Sequence, residues 1–162
     1  MKKIIFLLTF VISSHLWASN HSLDSTIDKH QSEFENVAMT IWDLAEVGYQ
    51  EYESSKLLQN SLKDHGFRIQ TNVADNPTAF IAEYGAGTPV IAILGEFDAL
   101  PGVAQSASPF KEPYKDNQAG HACGHHLFGA GSAWSSVVIK DWMKANNIKG
   151  TCLLYTSDAA DE

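Results

Sequence analysis

The chain has 162 residues, 44% hydrophobic and 19% charged, which is the composition of a globular chain with room for one domain. Its formal net charge of −8 at pH 7 gives an acidic surface that repels nucleic acid and anionic lipid, so neither is expected as a partner.

In chain order, the first element is a leader. Lys2 and Lys3 precede an apolar run from Ile4 to Ile12, and small residues follow at Ala18 and Ser19. This order of charge, core and cleavage site predicts a signal peptide over residues 1–18, too short to anchor in a bilayer. The mature chain is expected to begin near Ser19, to be periplasmic or secreted, and to leave the membrane after cleavage. From Ser25 to Val47, Ile27, Phe34, Val37, Ala38, Ile41, Leu44 and Ala45 recur at three- and four-residue intervals and predict an amphipathic helix. A second helix is predicted from near Tyr52, with Leu57, Leu58 and Leu62 on one face and Gly66 as a left-handed cap.

The period then changes. Phe67 to Val73, Ala79 to Tyr84 and Pro89 to Leu94 are rich in β-branched and aromatic residues, are separated by the turn signals DNP and GAGTP, and predict three strands. The third, VIAIL, is continuously apolar, as expected of a central strand buried on both faces. GEFDALPGVAQ follows, then a polar loop from Ser106 to Gln118, then GHACGHH. A helix is predicted from about Leu127 to Asn146, burying Leu127, Ala130, Trp134, Val137, Val138 and Trp142, and Gly150 and Thr151 open a further strand. The pattern is α/β, with helices packed on a mixed sheet. Residues 152–162, CLLYTSDAADE, match residue for residue the reading-frame translation of a transposase-type sequencing adapter. They are expected to be a non-native tail, with native sequence ending near Thr151; a genuine β segment with an acidic end is the alternative.

Two clusters carry chemistry. Glu96 and Asp98 fall just past the carboxyl end of a predicted strand, where open α/β sheets place ligand sites. Cys123 and His125 flank Gly124 just before a helix, whose N-terminus favours the thiolate that a metal requires. With Cys152 assigned to the tail, Cys123 is the single thiol of an exported segment, and ligation would occupy it. Two other readings compete. Cys123 could be a nucleophile with His125 or His121 as its base, although groups two residues apart on one loop seldom reach attack geometry. A non-catalytic metal-binding or thiol-storage module would require further Cys or His clusters. Asp98 has a turn-capping alternative, and His121 reads equally as a ligand-supporting or a surface residue. His21, His30 and His65 read as solvated, and Trp134 and Trp142 as core.

GEFDALPG followed by GHACGHHLFGAGS resembles the two N-terminal metal-site motifs of the zinc-type metallopeptidase and amidohydrolase family that contains aminobenzoyl-glutamate hydrolase, hippurate hydrolase and the plant hormone-conjugate amidohydrolases. EVGYQEYESSKLLQNSLKDHGF is similar to that family's first helical pair, so the likeness covers residues 25–151. With glutamate at position 96, it leans toward the aminobenzoyl-glutamate hydrolase branch. The resemblance implies that residues 19–151 are the N-terminal part of a truncated metallopeptidase-like catalytic domain. It makes Cys123 a thiolate able to bridge two divalent ions, zinc or manganese, and His125 a terminal ligand of one. Asp98 would orient a ligating histidine from behind, and Glu96 stands where the peptidase branches carry a histidine ligand. His126 departs from the usual aspartate or asparagine and receives no ligand role. The implied activity is metal-dependent hydrolysis of the amide bond of N-acyl amino acids or small peptides. The general base, in a Glu-Glu pair, and the remaining ligands are expected beyond the native sequence, leaving this chain inactive alone and the complete enzyme a homodimer.

Overall fold

The computed structural model describes residues 2–106, 108–113 and 119–156, with side chains from Leu23 onward. The side chains of residues 1–22, which include the predicted leader, and residues 107, 114–118 and 157–162 lie outside that set. Helix α1 (Lys2–Leu44) is followed by α2 (Tyr52–Asp64), β1 (Arg68–Thr71), a 3-10 turn (Val73–Asp75), β2 (Phe80–Ala86) and β3 (Val90–Gly95). Two short strands, β4 (Leu100–Pro101) and β5 (Ala119–Gly120), lead into α3 (His125–Ala145) and β6 (Gly150–Thr156). Among the described residues no helix is long and apolar enough to cross a membrane.

The main sheet has the order β1-β2-β6-β3, antiparallel except for the β3–β6 pair. Helix α3 makes the crossover that a parallel β3–β6 pair requires. The core is built from Phe34, Val37 and Ile41 of α1, Leu58 and Leu62 of α2, Phe80 and Ala82 of β2, Ala133 and Val137 of α3, and Leu154 of β6. The α2 terminus follows its predicted chemistry. Gly66, at φ +87°, donates its N–H to the Lys63 carbonyl at 2.8 Å, and the N–H of Phe67 reaches the Leu62 carbonyl at 3.0 Å. The side chains of Phe67 and Leu62 are both buried, completing the apolar contact of a Schellman cap.

Several expectations are corrected. Helix α1 stops at Leu44, where Ala45 turns left-handed, rather than at Val47. Its buried stripe runs through His30 and not Ile27, because Asp141 of α3 receives the imidazole at 2.9 Å and satisfies it inside the core. His30 is therefore not on a solvated face. Strand β3 is an edge of the sheet, with Val90 56% and Ile91 52% exposed; its apolar run is covered by α3 only toward Gly95. Helix α3 buries Gly129, Ala130, Ser132, Ala133, Ser136 and Val137, a face of small residues that lets it lie close to the sheet. Large side chains are pushed to its flank, so Leu127 and Trp142 are exposed while Trp134 stacks partly buried on Phe34. Residues 152–156 lie in strand β6, with Cys152 and Leu154 fully buried, which leaves the expectation of a non-native tail as it stood.

Asp141 ties α3 to α1 electrostatically. Burial alone would raise its carboxyl, but hydrogen bonds from Lys140 and His30 and the charges of Lys140 and Lys29 outweigh burial and hold it at about 2, against an ordinary 3.8. A depressed carboxyl pKa stabilises the fold above the unfolded value, and the contribution is lost as pH falls through the folded one. Asp141→Asn is expected to lower stability by about 1–2 kcal/mol at pH 7, with roughly half that difference left at pH 3. Urea unfolding of both proteins across that range checks it, and a difference independent of pH would contradict it.

Candidate metal centre

The E-F-D order carries the first half of the site. In an extended segment alternate side chains share a side, and Phe97 turns into the core, 3% exposed, with its ring 6.2 Å from that of Phe80. Glu96 and Asp98 are therefore presented together on the opposite side, and both are buried. The next residues pair β4 with β5, Leu100 opposite Gly120 and Pro101 opposite Ala119. This short ladder fastens GEFDALPG to GHACGHH.

The end of α1 anchors both motifs. The N–H of Ala99 donates to the Glu46 carbonyl at 2.7 Å, beside a parallel bridge between Val47 and Ala99. His121, buried at 6% exposed, uses its Nε2 on the Ile41 carbonyl at 3.0 Å, which assigns it a supporting rather than a surface role. Glu46 also accepts the N–H groups of Glu53 and Ser54 at 3.1 and 2.8 Å, capping α2 from outside the helix. Gly129 completes the approach. A Cβ there would meet the Glu96 carbonyl oxygen at 2.8 Å and the Phe97 Cβ at 2.9 Å, so only glycine lets α3 lie against the Glu96 backbone.

These contacts bring three of the four sequence-predicted residues together. One donor atom each of Glu96, Asp98 and His125 lies within 4.8 Å of the others. His125 Nδ1 is 2.7 Å from Asp98 Oδ1, and its Nε2 is 3.3 Å from Glu96 Oε2. An ionised carboxylate only accepts, so Nδ1 donates to Asp98, and Nε2 is the nitrogen left toward Glu96. Cys123 is not in this group. It is exposed, on the turn before Gly124, the N-cap of α3. Two carboxylates and one imidazole sum to −2, or −1 with the ring protonated, and a buried set of that charge is completed by a cation. The residues present thus fit one side of a metal site.

His126, to which the resemblance gives no ligand role, lies outside the Glu96 group. It is buried at 7% exposed, its ring centroid 4.9 Å from those of both Trp42 and His121. Burial holds His126 and His121 below the ordinary histidine range, the neighbouring His121 adding to the effect on His126. Among the described residues, Nδ1 of each has no hydrogen-bond partner. The missed role of Gly129 had a signal in the sequence, since glycine inside a helix costs stability and marks close packing.

No family model matches the chain. It is 35% identical over 134 residues to a p-aminobenzoyl-glutamate hydrolase of Escherichia coli (strain K12), one subunit of that enzyme, covering 82% of this chain and 28% of that protein. It is 26% identical over 131 residues to hippurate hydrolase of Campylobacter jejuni, covering 81% of this chain and 33% of that one. A Bacillus subtilis structure described as a dinuclear metal binding peptidase from the M20 family superposes with a TM-score of 0.62 at 28% identity, covering 80% of this chain and 36% of that one. The chain belongs to this metallopeptidase and amidohydrolase family. It spans a third or less of the length of these two curated relatives. Within that span the family's α/β fold is present, helices on a mixed sheet, as a partial catalytic domain.

The Asp98–His125 bond generates a direct expectation. Asp98→Asn keeps the size of the side chain but replaces the acceptor that fixes the ring, and should weaken divalent-cation binding by about 10- to 100-fold. Calorimetric titration with Zn²⁺ measures this, with circular dichroism confirming the fold, and unchanged affinity would contradict it.

Proposed function

We propose that this chain is the N-terminal part of a metal-dependent amidohydrolase that cleaves the amide bond of N-acyl amino acids or small peptides, aminobenzoyl-glutamate-like substrates among them. The observation that carries the reading is the orientation of His125, held by Asp98 through Nδ1 with Nε2 facing Glu96. Identity to the two hydrolases supports it.

His125 Nε2 and Glu96 would hold a divalent ion, and Cys123, on the adjoining turn, would be a further ligand in the complete site. Two divalent ions, when bound, supply Lewis acidity toward the substrate carbonyl and a lowered pKa for water. The chain's own residues do the positioning. Asp98 fixes the tautomer and rotation of His125, Phe97 anchors the loop in the core, and His121 pins the preceding turn to α1. Thiolate and imidazole ligands favour zinc, and carboxylates suit manganese as well. The general base and the remaining ligands are proposed to lie in the portion of the relatives that this chain does not span, so the 162-residue chain alone does not turn over substrate. The Escherichia coli relative is one part of a multi-chain hydrolase by its name, which supports an assembly; we propose a homodimer, exported through the leader of residues 1–18. Both ring nitrogens of His125 face carboxylates, which favours a ligand over a base for Cys123.

In a chain completed from the downstream gene, Cys123→Ala should lower turnover of p-aminobenzoyl-glutamate and other N-acyl amino acids by on the order of 10²-fold or more, with loss of bound metal. Cys123→Asp, another anionic ligand, should keep a measurable part. Protein recovered from the periplasm for these assays should begin near Ser19. Full activity in Cys123→Ala, turnover by the 162-residue chain, or an intact Met1 on a wholly cytoplasmic product would each contradict the corresponding part of the reading.

A further inference from the structure

A second group of ligand-type side chains shares no residue with the first. His30 and Glu33, one turn apart on α1, and His65, at the C-cap of α2, each offer a donor atom within 4.8 Å of the others. Asp141 of α3 stands behind His30, outside this group, its Oδ2 2.9 Å from His30 Nε2. The Glu33 carboxylate meets His65 Nε2 with both oxygens, at 3.1 and 2.9 Å, and accepts the Ser61 hydroxyl at 2.6 Å. The two imidazoles pack edge to face with centroids 4.9 Å apart, and the ring of Phe34 stacks on His65 at 6.0 Å. Lys140 braces the group from outside, donating to the His65 carbonyl at 3.2 Å and to Asp141 Oδ1 at 2.8 Å.

Packing alone does not account for this placement. His30 stands on the buried stripe of α1, 7% exposed, where an aliphatic residue would fill the space without a polar partner. Instead two imidazoles and the Glu33 carboxylate converge, His65 Nε2 2.9 Å from Glu33 Oε2, while His30 Nε2 is backed by Asp141 Oδ2 at 2.9 Å. Two ligand atoms about 2.0–2.1 Å from a tetrahedral zinc ion are about 3.3–3.4 Å apart. A cation would therefore take the place of the proton shared by Glu33 and His65, that pair opening by a few tenths of an ångström. The two neutral imidazoles and the Glu33 carboxylate carry −1, while the Asp141 carboxylate is faced by Lys140 and Lys29 at 2.8 and 3.7 Å. Imidazole and carboxylate donors without thiolate suit zinc and its neighbours among the first-row divalent ions better than magnesium or calcium.

We propose that His30, Glu33 and His65 form a structural zinc-type site that ties α1 to the end of α2, with Asp141 of α3 orienting His30 from behind. The site stands apart from turnover: it fixes the helical layer. Lys140 acts as a positioning residue, holding Asp141 and the His65 backbone at the distances the site needs.

The test uses the 162-residue chain carrying His125→Ala, which disables the Glu96 group, stripped with chelator and titrated with Zn²⁺ alone. The expected result is about one Zn²⁺ bound per chain and a raised thermal midpoint. Adding Glu33→Gln, which keeps the hydrogen-bonding reach to Ser61 and His65, should weaken that binding at least tenfold, as should His65→Gln. With Co²⁺ in place of Zn²⁺, the His125→Ala chain should show tetrahedral ligand-field absorption without the charge-transfer band that a Cys123 thiolate would give; this readout requires no second substitution to fold. Equal Zn²⁺ affinity with and without Glu33→Gln, no rise in midpoint, or no tetrahedral cobalt spectrum would overturn the site and leave an ion-pair network.

Discussion

The hydrogen bond between Asp98 and His125 is the contact on which the site depends. At 2.7 Å it joins the loop after β3 to the first residue of α3, and it decides which imidazole nitrogen is free. Much of the surrounding structure serves to set that distance. Phe97 fixes the loop from the core side, the β4–β5 ladder draws the two motifs together, and Gly129 lets α3 descend onto the Glu96 backbone. Moving α3 outward by the width of a methyl group would separate His125 from both carboxylates at once.

The C-terminal end of α1 is the common base for these contacts. Its Ile41 carbonyl receives His121, and the Glu46 carbonyl just beyond receives Ala99, so one helix end holds both motif loops. Glu46 uses its carboxylate on the start of α2 at the same time. Helix position, loop position and ligand orientation are thus coupled through a few hydrogen bonds, each worth about 1 kcal/mol but jointly restrictive.

Much of this was legible in the sequence, and the misses have physical causes. The α2 cap at Gly66, the placing of Glu96 and Asp98 just past a strand, and the order of strand, loop, helix and strand around α3 follow from local rules of period and turn chemistry. What local rules could not supply was the partner of each polar residue. His30 reads as solvated until Asp141, more than a hundred residues later, is placed beside it. Helix α3 misled because its largest apolar residues are not its buried ones: Ala133 and Ser136 face the sheet while Leu127 lies outside. Strand β3 misled because an apolar run signals burial without saying how many neighbours the strand has. Glu96, Asp98 and His125 lie close together, whereas Cys123 is exposed on its turn.

The claim that Asp98 reserves Nε2 of His125 for a cation is tested most directly by nitrogen-15 resonance of the histidine side chains during Zn²⁺ addition to the stripped protein. Metal should displace any proton at Nε2 and shift that nitrogen, while Nδ1 keeps its proton and its coupling to Asp98. A metal-induced shift at Nδ1 instead, or no change at either nitrogen of His125 under saturating Zn²⁺, would contradict the account.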